Sequence, residues 1–486
     1  MDSALVFAGD QPRQTLADRV RRGQLVRIAT GVYSSEADLD PAVIVHRRWP
    51  EIVGHLYPGA VVTDRSAVTG GPVDGYLYLA HASRERSTEL PGLTVRARAG
   101  PGPLDGDAPL PGGLYQAGKA RALLENTFPS RARGGRPRRT LSTAELADWV
   151  DRLAMVDGVE RLQRYRAAAE LLAPTLAAGS EQVSMLSGLV GAALGTQRVQ
   201  TGSAALTARQ AGLPYDADRM RRFGVLINAL RGSAPQNRPV LDVSDARYRY
   251  LPFYEAYFSN IIEGTVFELA DAVAIVYEGA QIPGRADDSH DLLGTHLVVD
   301  DPAEMATIGR DADEFAQLLR ARHATILAGR PDKNPGMFKE AANRAGNTSF
   351  VLPGLVAGTL RAGWSRLAEL DTPFERAVYM TFLVSEVHPF ADGNGRVARV
   401  MMNAELVTGG QSRIIVPTVF RDDYLDGLRM LSRQDEPRVL IKALRYVHDY
   451  TAQISWRTTE LARQALEATN AFNEPNSPDR LILPRA

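Results

Sequence analysis

A polar loop between two helical patterns constrains the fold of this chain most. Residues 388–399 read His-Pro-Phe-Ala-Asp-Gly-Asn-Gly-Arg-Val-Ala-Arg. Upstream, Thr372 and Glu375 have the spacing of a capping box at a helix start. Pro389 ends that helix, because proline lacks the N–H that would donate the next helical hydrogen bond. The glycines permit a tight turn and residues 397–407 predict a second helix, so the sequence predicts a helix–loop–helix unit.

The loop itself predicts a phosphate-binding site. A run of Gly393, Asn394 and Gly395 opens onto the second helix. Backbone N–H groups and the positive end of the helix dipole converge on such a turn and favour an anion there. Arg396 and Arg399 are three residues apart, so they share one helix face and could each hold a phosphate group.

Two further side chains predict a metal ion and a base. Asp392 beside a polyphosphate would be repelled unless a cation lay between them, which implies Mg²⁺. His388 has an ordinary pKa of roughly 6.5, so it is largely neutral at cellular pH and could accept a proton. Phe390 is expected to anchor the loop in the core. These residue types favour phosphoryl or nucleotidyl transfer to a hydroxyl group.

The same segment resembles the Fic motif, His-x-Phe-x-Asp/Glu-Gly-Asn-Gly-Arg-x-x-Arg, at every fixed position. The resemblance implies a helical fold and AMPylation, the transfer of AMP from ATP to a protein Ser, Thr or Tyr hydroxyl. It makes His388 the general base and Asp392 the Mg²⁺ ligand. It assigns the α-phosphate region to Gly393–Gly395 and the outer phosphates to Arg396 and Arg399. The related Doc kinases lack the Gly-Asn-Gly run, so its presence here disfavours phosphorylation.

A second segment resembles the inhibitory motif of the same family, Ser/Thr-x-x-x-Glu-Gly. It runs from Ser259 to Glu263 and Gly264, within a helix expected near residues 255–272. The resemblance implies that Glu263 pairs with Arg399 and so occupies the guanidinium meant for the γ-phosphate. The enzyme would then be autoinhibited.

Residues 336–353 resemble the family's flap, a β-hairpin ahead of the catalytic helix. Gly346-Asn347 is a plausible turn. An exposed hairpin edge could align a target segment by β-augmentation, with its hydroxyl near His388. The alternative is a hairpin that only connects its neighbours.

The rest of the chain predicts further regions. Residues 16–33 look like a short helix followed by a β-wing, similar to the winged-helix start of AbiEi-type antitoxins and regulators. The basic residues Arg19, Arg21, Arg22 and Arg27 could contact DNA phosphates. The sequence therefore predicts a mainly α chain made of an N-terminal α+β winged-helix-like region (1–128), a basic linker (129–140), a helical middle region (141–235), a helical Fic domain with a β-hairpin flap (240–460) and a C-terminal tail (461–486).

Composition limits the partners. The chain of 486 residues has no cysteine, which excludes disulfides, thiolate zinc sites and cysteine nucleophiles. Its 56 basic and 57 acidic side chains exclude a polybasic protein as a whole. There is no signal-peptide pattern and no long apolar run, so no membrane partner and a cytoplasmic location are expected. The expected partner is a target protein with a Ser, Thr or Tyr hydroxyl, or the protein itself; DNA and a homodimer stay open.

Three alternatives remain at this point. The same site could remove AMP, with Glu263 positioning a water molecule, or could carry out another nucleotidyl or phosphoryl transfer. The protein could instead be a DNA-binding regulator whose Fic domain senses nucleotides. Arg399 could form an ordinary helix-surface ion pair with Glu405 or Asp422 rather than bind phosphate.

Overall fold

The structure, a computed structural model, describes residues 4–132, 134–240 and 248–484. Residue 133 of the predicted basic linker, residues 241–247 of the predicted Fic domain and the last two residues of the predicted tail lie outside the described residues. The chain forms two compact units, Met1–Gly212 and Leu213–Ala486. The boundary between them falls inside the predicted helical middle region, and the predicted domain limits stay a prediction.

The first unit combines two sheets with eight described helices. The strands are β1 (Leu5–Phe7), β2 (Val26–Ala29), β3 (Val32–Ser34), β4 (Val61–Val62), β5 (Tyr76–His81), β6 (Arg86–Leu90), β7 (Leu93–Ala99), β8 (Ala108–Leu110) and β9 (Leu114–Gln116). The helices are α1 (Arg13–Arg21), α2 (Pro41–Leu56), α3 (Asp64–Thr69), α4 (Lys119–Glu125), α5 (Thr143–Val156), α6 (Val159–Leu172), α7 (Ser180–Ala193) and α8 (Ala204–Gln210). The small sheet has the order β1-β3-β2, and the larger one has the order β6-β7-β5-β4-β9-β8.

The predicted helix and wing strands near the N-terminus are present as α1, β2 and β3. On α1 and beside it, Arg19 donates to Gln11, and Arg21 pairs with Asp18. Contact with DNA through this surface stays a prediction. Further along, Ser142 and Glu145 form both hydrogen bonds of a capping box at the start of α5.

The second unit is helical apart from one hairpin. Its helices are α9 (Ala217–Arg231), α10 (Leu251–Ile262), α11 (Leu269–Glu278), α12 (Ala286–Asp300), α13 (Pro302–Met305), α14 (Ala312–Ile326), α15 (Val356–Ser365), α16 (Pro373–Val387), α17 (Asn394–Thr408), α18 (Arg421–Gln434), α19 (Arg438–Gln453) and α20 (Thr459–Ala468). The hairpin pairs β10 (Arg344–Ala345) with β11 (Thr348–Ser349) around the predicted Gly346-Asn347 turn. The predicted mainly α architecture with a hairpin flap is confirmed.

Helix α16 begins and ends as its sequence predicts. Thr372 and Glu375 form both bonds of the capping box, 3.3 Å from Glu375 N–H to Thr372 Oγ1 and 2.9 Å from Thr372 N–H to Glu375 Oε2. The helix ends before Pro389, and His388 follows it in the left-handed region with φ 53°. The helix therefore delivers His388 to the start of the loop.

Two predicted helix limits need correction. The second helix of the motif begins at Asn394 rather than at residue 397, because Gly393 takes φ 71° and turns the chain straight into the helix. The helix expected near residues 255–272 is two helices: α10 ends at Ile262, the chain turns at Gly264 with φ 92°, and α11 begins at Leu269.

Among the described residues, no helix combines the length and the apolar character that crossing a bilayer requires.

Candidate active site

His388 stands at the entrance of the loop as a neutral side chain. Its Nδ1 lies 3.3 Å from the carbonyl oxygen of Ser385. Because a carbonyl only accepts, Nδ1 carries the proton and Nε2 is left with a free lone pair. Phe350 stacks on the ring at 3.7 Å between centroids. Burial lowers the pKa of His388 to about 4, and the Lys339 cation adds to this effect.

The loop is closed by its own side chains. Asn394 Oδ1 accepts from the N–H of Phe390, and Asn394 Nδ2 donates to the carbonyl of Phe390, both at 2.9 Å. Phe390 is fully buried, as expected, and stacks on His323 at 3.7 Å. Gly393 takes φ 71°, which strains any residue other than glycine, and a Cβ there would lie 2.8 Å from Leu327 Cδ2. The Asn394 side chain therefore shapes the loop and leaves only its backbone N–H to face a ligand.

The first turn of α17 has the features of the anion site that the sequence predicts. The N–H groups of the first helical residues have no intrahelical acceptor, and the helix dipole favours negative charge at this end. The group that lies there in this structure is the carboxylate of Glu263, since a Cβ on Gly395 would collide with Glu263 Oε1. A side-chain carboxylate thus covers the position where the loop could receive a phosphate.

Arg399 is bound to the end of α10. Its Nη2 lies 2.8 Å from Glu263 Oε1 and 2.8 Å from the carbonyl of Ser259, and its Nε donates to Ser259 Oγ at 3.0 Å. The alternative ion pairs do not form, since Glu405 pairs with Arg376 and Asp422 pairs with Arg421. Gly264 ends the helix and does not itself contact the guanidinium. The pairing of Glu263 with Arg399 that the resemblance implies is present.

Arg396 is engaged by a residue that the sequence did not single out. Its Nη1 lies 2.5 Å from Asp291 Oδ2 and 3.3 Å from Asn260 Oδ1, while its Nη2 faces Asp392 Oδ1 at 3.8 Å. Asp291 is fully buried on α12 and also accepts from Arg330 Nε at 2.8 Å. One guanidinium nitrogen is therefore anchored, and the other points at the loop.

Asp392 has the character of a partial metal site. Its carboxylate is 43% exposed, and Oδ1 accepts from the N–H of Gly393 at 2.6 Å. In the part of the chain that the structure describes, no group of three or more metal-binding side chains exists. Mg²⁺ is commonly held by one or two carboxylates together with nucleotide phosphates and water, so a single exposed carboxylate beside a phosphate site fits that ion.

His388, Gly395, Glu263 and Arg399 line one cleft of about 720 Å³. The lining also includes the flap and one face of α18: Ala345–Thr348, Phe350, Tyr424, Leu425, Leu428, Arg429 and Arg433. The flap and α18 are linked, since Arg433 Nε donates to Thr348 Oγ1 at 2.8 Å. Glu263 and His388 therefore meet at one cleft, although they are more than 120 positions apart in sequence, whereas Asp392 and Arg396 do not line it.

The second unit thus holds a glycine-containing turn at the start of a helix, two buried arginines and a neutral histidine. Residues 315–406 match the model of the Fic/DOC family. This match runs from α14 to α17.

The chain is also similar to individual proteins. The chain is 26% identical over 189 residues to the Caenorhabditis elegans protein adenylyltransferase fic-1, covering 38% of this chain and 37% of that protein. It is 25% identical over 224 residues to the Drosophila melanogaster protein adenylyltransferase Fic, covering 43% of this chain and 44% of that protein. The match thus spans well under half the length of these curated relatives. The solved structure of Fic-1 (residues 134–508) from C. elegans aligns with a TM-score of 0.39 and 20% identity, over 64% of this chain and 96% of that one.

Proposed function

We propose that this protein transfers AMP from ATP to a hydroxyl side chain of a target protein or of itself, and that Glu263 holds it in an inhibited state. The observation that carries the proposal is the neutral His388, whose imidazole lines the cleft beside the start of α17. The names of the relatives support the same activity, because both are protein adenylyltransferases.

The proposed chemistry uses ATP, a target hydroxyl and Mg²⁺ together with the side chains of the site. His388 Nε2 takes the proton of the target hydroxyl, and the hydroxyl oxygen attacks the α-phosphorus of ATP. The new oxygen–phosphorus bond replaces the bond to pyrophosphate, which leaves. The N–H groups at the start of α17 and the side chains of Arg396 and Arg399 hold the phosphates. Asp392 would hold Mg²⁺, which neutralises phosphate charge when it is bound.

Inhibition follows from competition for Arg399. The Glu263 carboxylate already accepts a hydrogen bond from its guanidinium and lies against Gly395. A γ-phosphate would have to displace this carboxylate or be repelled by it. Hydrogen bonds between charged groups contribute about 1.5–3 kcal/mol each, so release of Arg399 is expected to raise productive ATP binding about 10- to 100-fold.

The test is labelling with ATP and Mg²⁺, with the label on either the α- or the γ-phosphate. Glu263→Gly should incorporate the α-label about tenfold or more above the unmodified protein, and should not incorporate the γ-label. Glu268→Gly is the matched control, because that carboxylate lies at the other end of the segment between α10 and α11, whereas Arg399 pairs with Glu263. The double variant Glu263→Gly with His388→Ala should lose the signal.

Other outcomes favour the alternatives. Incorporation of the γ-label would indicate phosphoryl transfer. Release of AMP from labelled protein upon addition of the unmodified enzyme would indicate de-AMPylation. No incorporation by Glu263→Gly would contradict the proposal of inhibition by Glu263.

A further inference from the structure

The first part of the flap, which precedes β10, holds the backbone on both sides of the candidate base. The N–H of Lys339 donates to the carbonyl of Pro389 at 2.8 Å, and Lys339 Nζ lies 3.5 Å from the carbonyl of Val387. Asn343 Nδ2 donates to the carbonyl of Phe390 at 2.9 Å. The backbone N–H of Lys339 and the side chains of Lys339 and Asn343 thus contact three carbonyls on either side of His388, those of Pro389, Val387 and Phe390.

Lys339 is unusual in this chain because it is a buried lysine. The chain contains 52 arginines and 4 lysines, yet one of the lysines is 6% exposed beneath the catalytic loop. Its Nζ donates to Asn343 Oδ1 at 2.6 Å and lies 5.9 Å from the ring of Phe350. Burial lowers the pKa of Lys339 to about 8, and the positive charge of Arg219 adds to this effect. Burial of an ammonium group costs desolvation free energy. A side chain that only filled space would not require that charge.

The backbone of His388 explains what such contacts could do. Its φ of 53° lies in the left-handed region, which costs a residue other than glycine roughly 1–2 kcal/mol. A strained conformation persists only where the surroundings fix it. Phe350, which follows β11 within the flap, also stacks on the imidazole at 3.7 Å. Backbone and ring of His388 are therefore both held from the flap side.

We propose that Lys339 and Asn343 are positioning residues that fix His388 in its strained conformation with Nε2 facing the cleft. The inference rests on the proposed function, because it assigns a reason for the geometry of the same base. It also assigns the flap a second role: the chain leading into the hairpin supports the base, whatever the hairpin edge binds.

Charge gives the proposal a measurable consequence. The charged groups that face His388 are Lys339 from the flap side, Glu263 from the end of α10 and Asp392 from the loop. Lys339 lowers the pKa of His388, whereas the two carboxylates raise it. Removal of the lysine cation therefore removes the repulsion and loosens the support, and both effects raise the pKa of His388.

The kinetic test compares variants in the Glu263→Gly background at saturating ATP and Mg²⁺. Lys339→Met and Asn343→Ala should each lower the single-turnover rate of AMP transfer about 10- to 100-fold, because small displacements of a base have effects of this size. ATP affinity should stay within about twofold of the parent. Lys339→Arg should recover part of the rate, and Lys333→Met, on the exposed pair with Asp332, should behave as the parent. Melting followed by circular dichroism identifies any variant that does not fold, and Asn343→Ala keeps the test open if Lys339→Met is one.

A readout without turnover separates this proposal from the proposed function. The imidazole of His388 is titrated by NMR in the otherwise unmodified protein, with His388→Asn identifying its signal. Lys339→Met should move its pKa from about 4 toward the ordinary value of roughly 6.5. If the pKa and the rate both stay unchanged, or if ATP affinity falls as much as the rate, positioning by Lys339 is wrong. If Glu263→Gly transfers no AMP at all, the proposed function fails and the titration still decides the role of Lys339.

Discussion

The protonation state of His388 determines over which pH range the site could act. A general base works only when unprotonated, and an ordinary histidine loses half of its base form at a pH of roughly 6.5. Burial beside Lys339 and Phe350 lowers the pKa of His388 to about 4. We therefore expect the rate of AMP transfer by Glu263→Gly to stay nearly constant from pH 8 to about pH 5 and to fall only below that.

The measurement is a single-turnover rate at each pH, with circular dichroism recorded on the same samples. The structural control matters because buried neutral histidines also affect stability. Their pKa is lower in the folded than in the unfolded chain, so the unfolded chain binds protons first and stability falls as the pH drops below about 6.5. A rate that halves near pH 6.5 while the fold is intact would contradict the proposed environment of His388.

Substitution of Asp291 would show how much the stability of the protein depends on a loop contact made by a residue outside the motif. It is fully buried and accepts hydrogen bonds from Arg396 and Arg330. Asp291→Asn leaves a buried guanidinium without its charged partner, and such changes cost about 3–5 kcal/mol in the free energy of unfolding. Urea unfolding measures this value. The matched control is Asp332→Asn in a surface pair with Lys333, where solvent screens the charges and little change is expected. Equal losses for the two variants would contradict the prediction that the buried pair contributes more.

These residues also show what could be predicted from sequence. The loop residues were identified because their chemistry and spacing lie within twelve positions of each other. Asp291 and Lys339 were not, because nothing in their local sequence distinguishes a buried partner from a solvated one. Their partners lie 105 and about 50 positions away, so only the tertiary structure brings them together.

At the scale of single elements, local rules predicted helix α16 well and the helix before Gly264 less well. The start of α16 depends on a capping box and its end on Pro389, both of which are local. The break between α10 and α11 at Gly264 was missed, because an isolated glycine within a helical pattern is often tolerated. In the structure this break lets Glu263 sit at the helix end, where its carboxylate reaches Arg399.

Loss of the capping box of α16 is expected to lower stability and to leave AMP transfer nearly unchanged. Thr372→Ala removes one cap bond and should lower the free energy of unfolding by about 1 kcal/mol. A helix of 15 residues places this cap roughly 22 Å from His388, so AMP transfer in the Glu263→Gly background should stay within about twofold of the parent. Ser142→Ala removes the equivalent cap of α5 in the other unit and is the matched control. Loss of transfer by Thr372→Ala alone would mean that the site depends on the far end of α16.

At the scale of the whole molecule, helix α9 raises the question of where the functional unit begins. The sequence placed α9 in a helical middle region that ends before residue 240, whereas contacts place it with the unit that starts at Leu213. Its Phe223 is fully buried and lies 5.9 Å from the ring of Tyr379 and 6.0 Å from that of Phe382, both on α16. The helix therefore packs directly on the element that carries the base.

Two fragments test this arrangement, 213–486 and 240–486, each with Glu263→Gly. The longer one holds every proposed site residue together with α9, so we expect it to unfold cooperatively and to transfer AMP to itself. The shorter one loses Arg219 and Arg222, whose Nη1 atoms lie 2.5 and 2.7 Å from Oε1 of the buried Glu386. An uncompensated buried carboxylate costs about 3–5 kcal/mol, so this fragment should unfold at much lower urea concentration and label weakly. Glu386→Gln in the shorter fragment removes the unpaired charge and should restore part of its stability. If the two parent fragments are equally stable, the functional unit begins after α9.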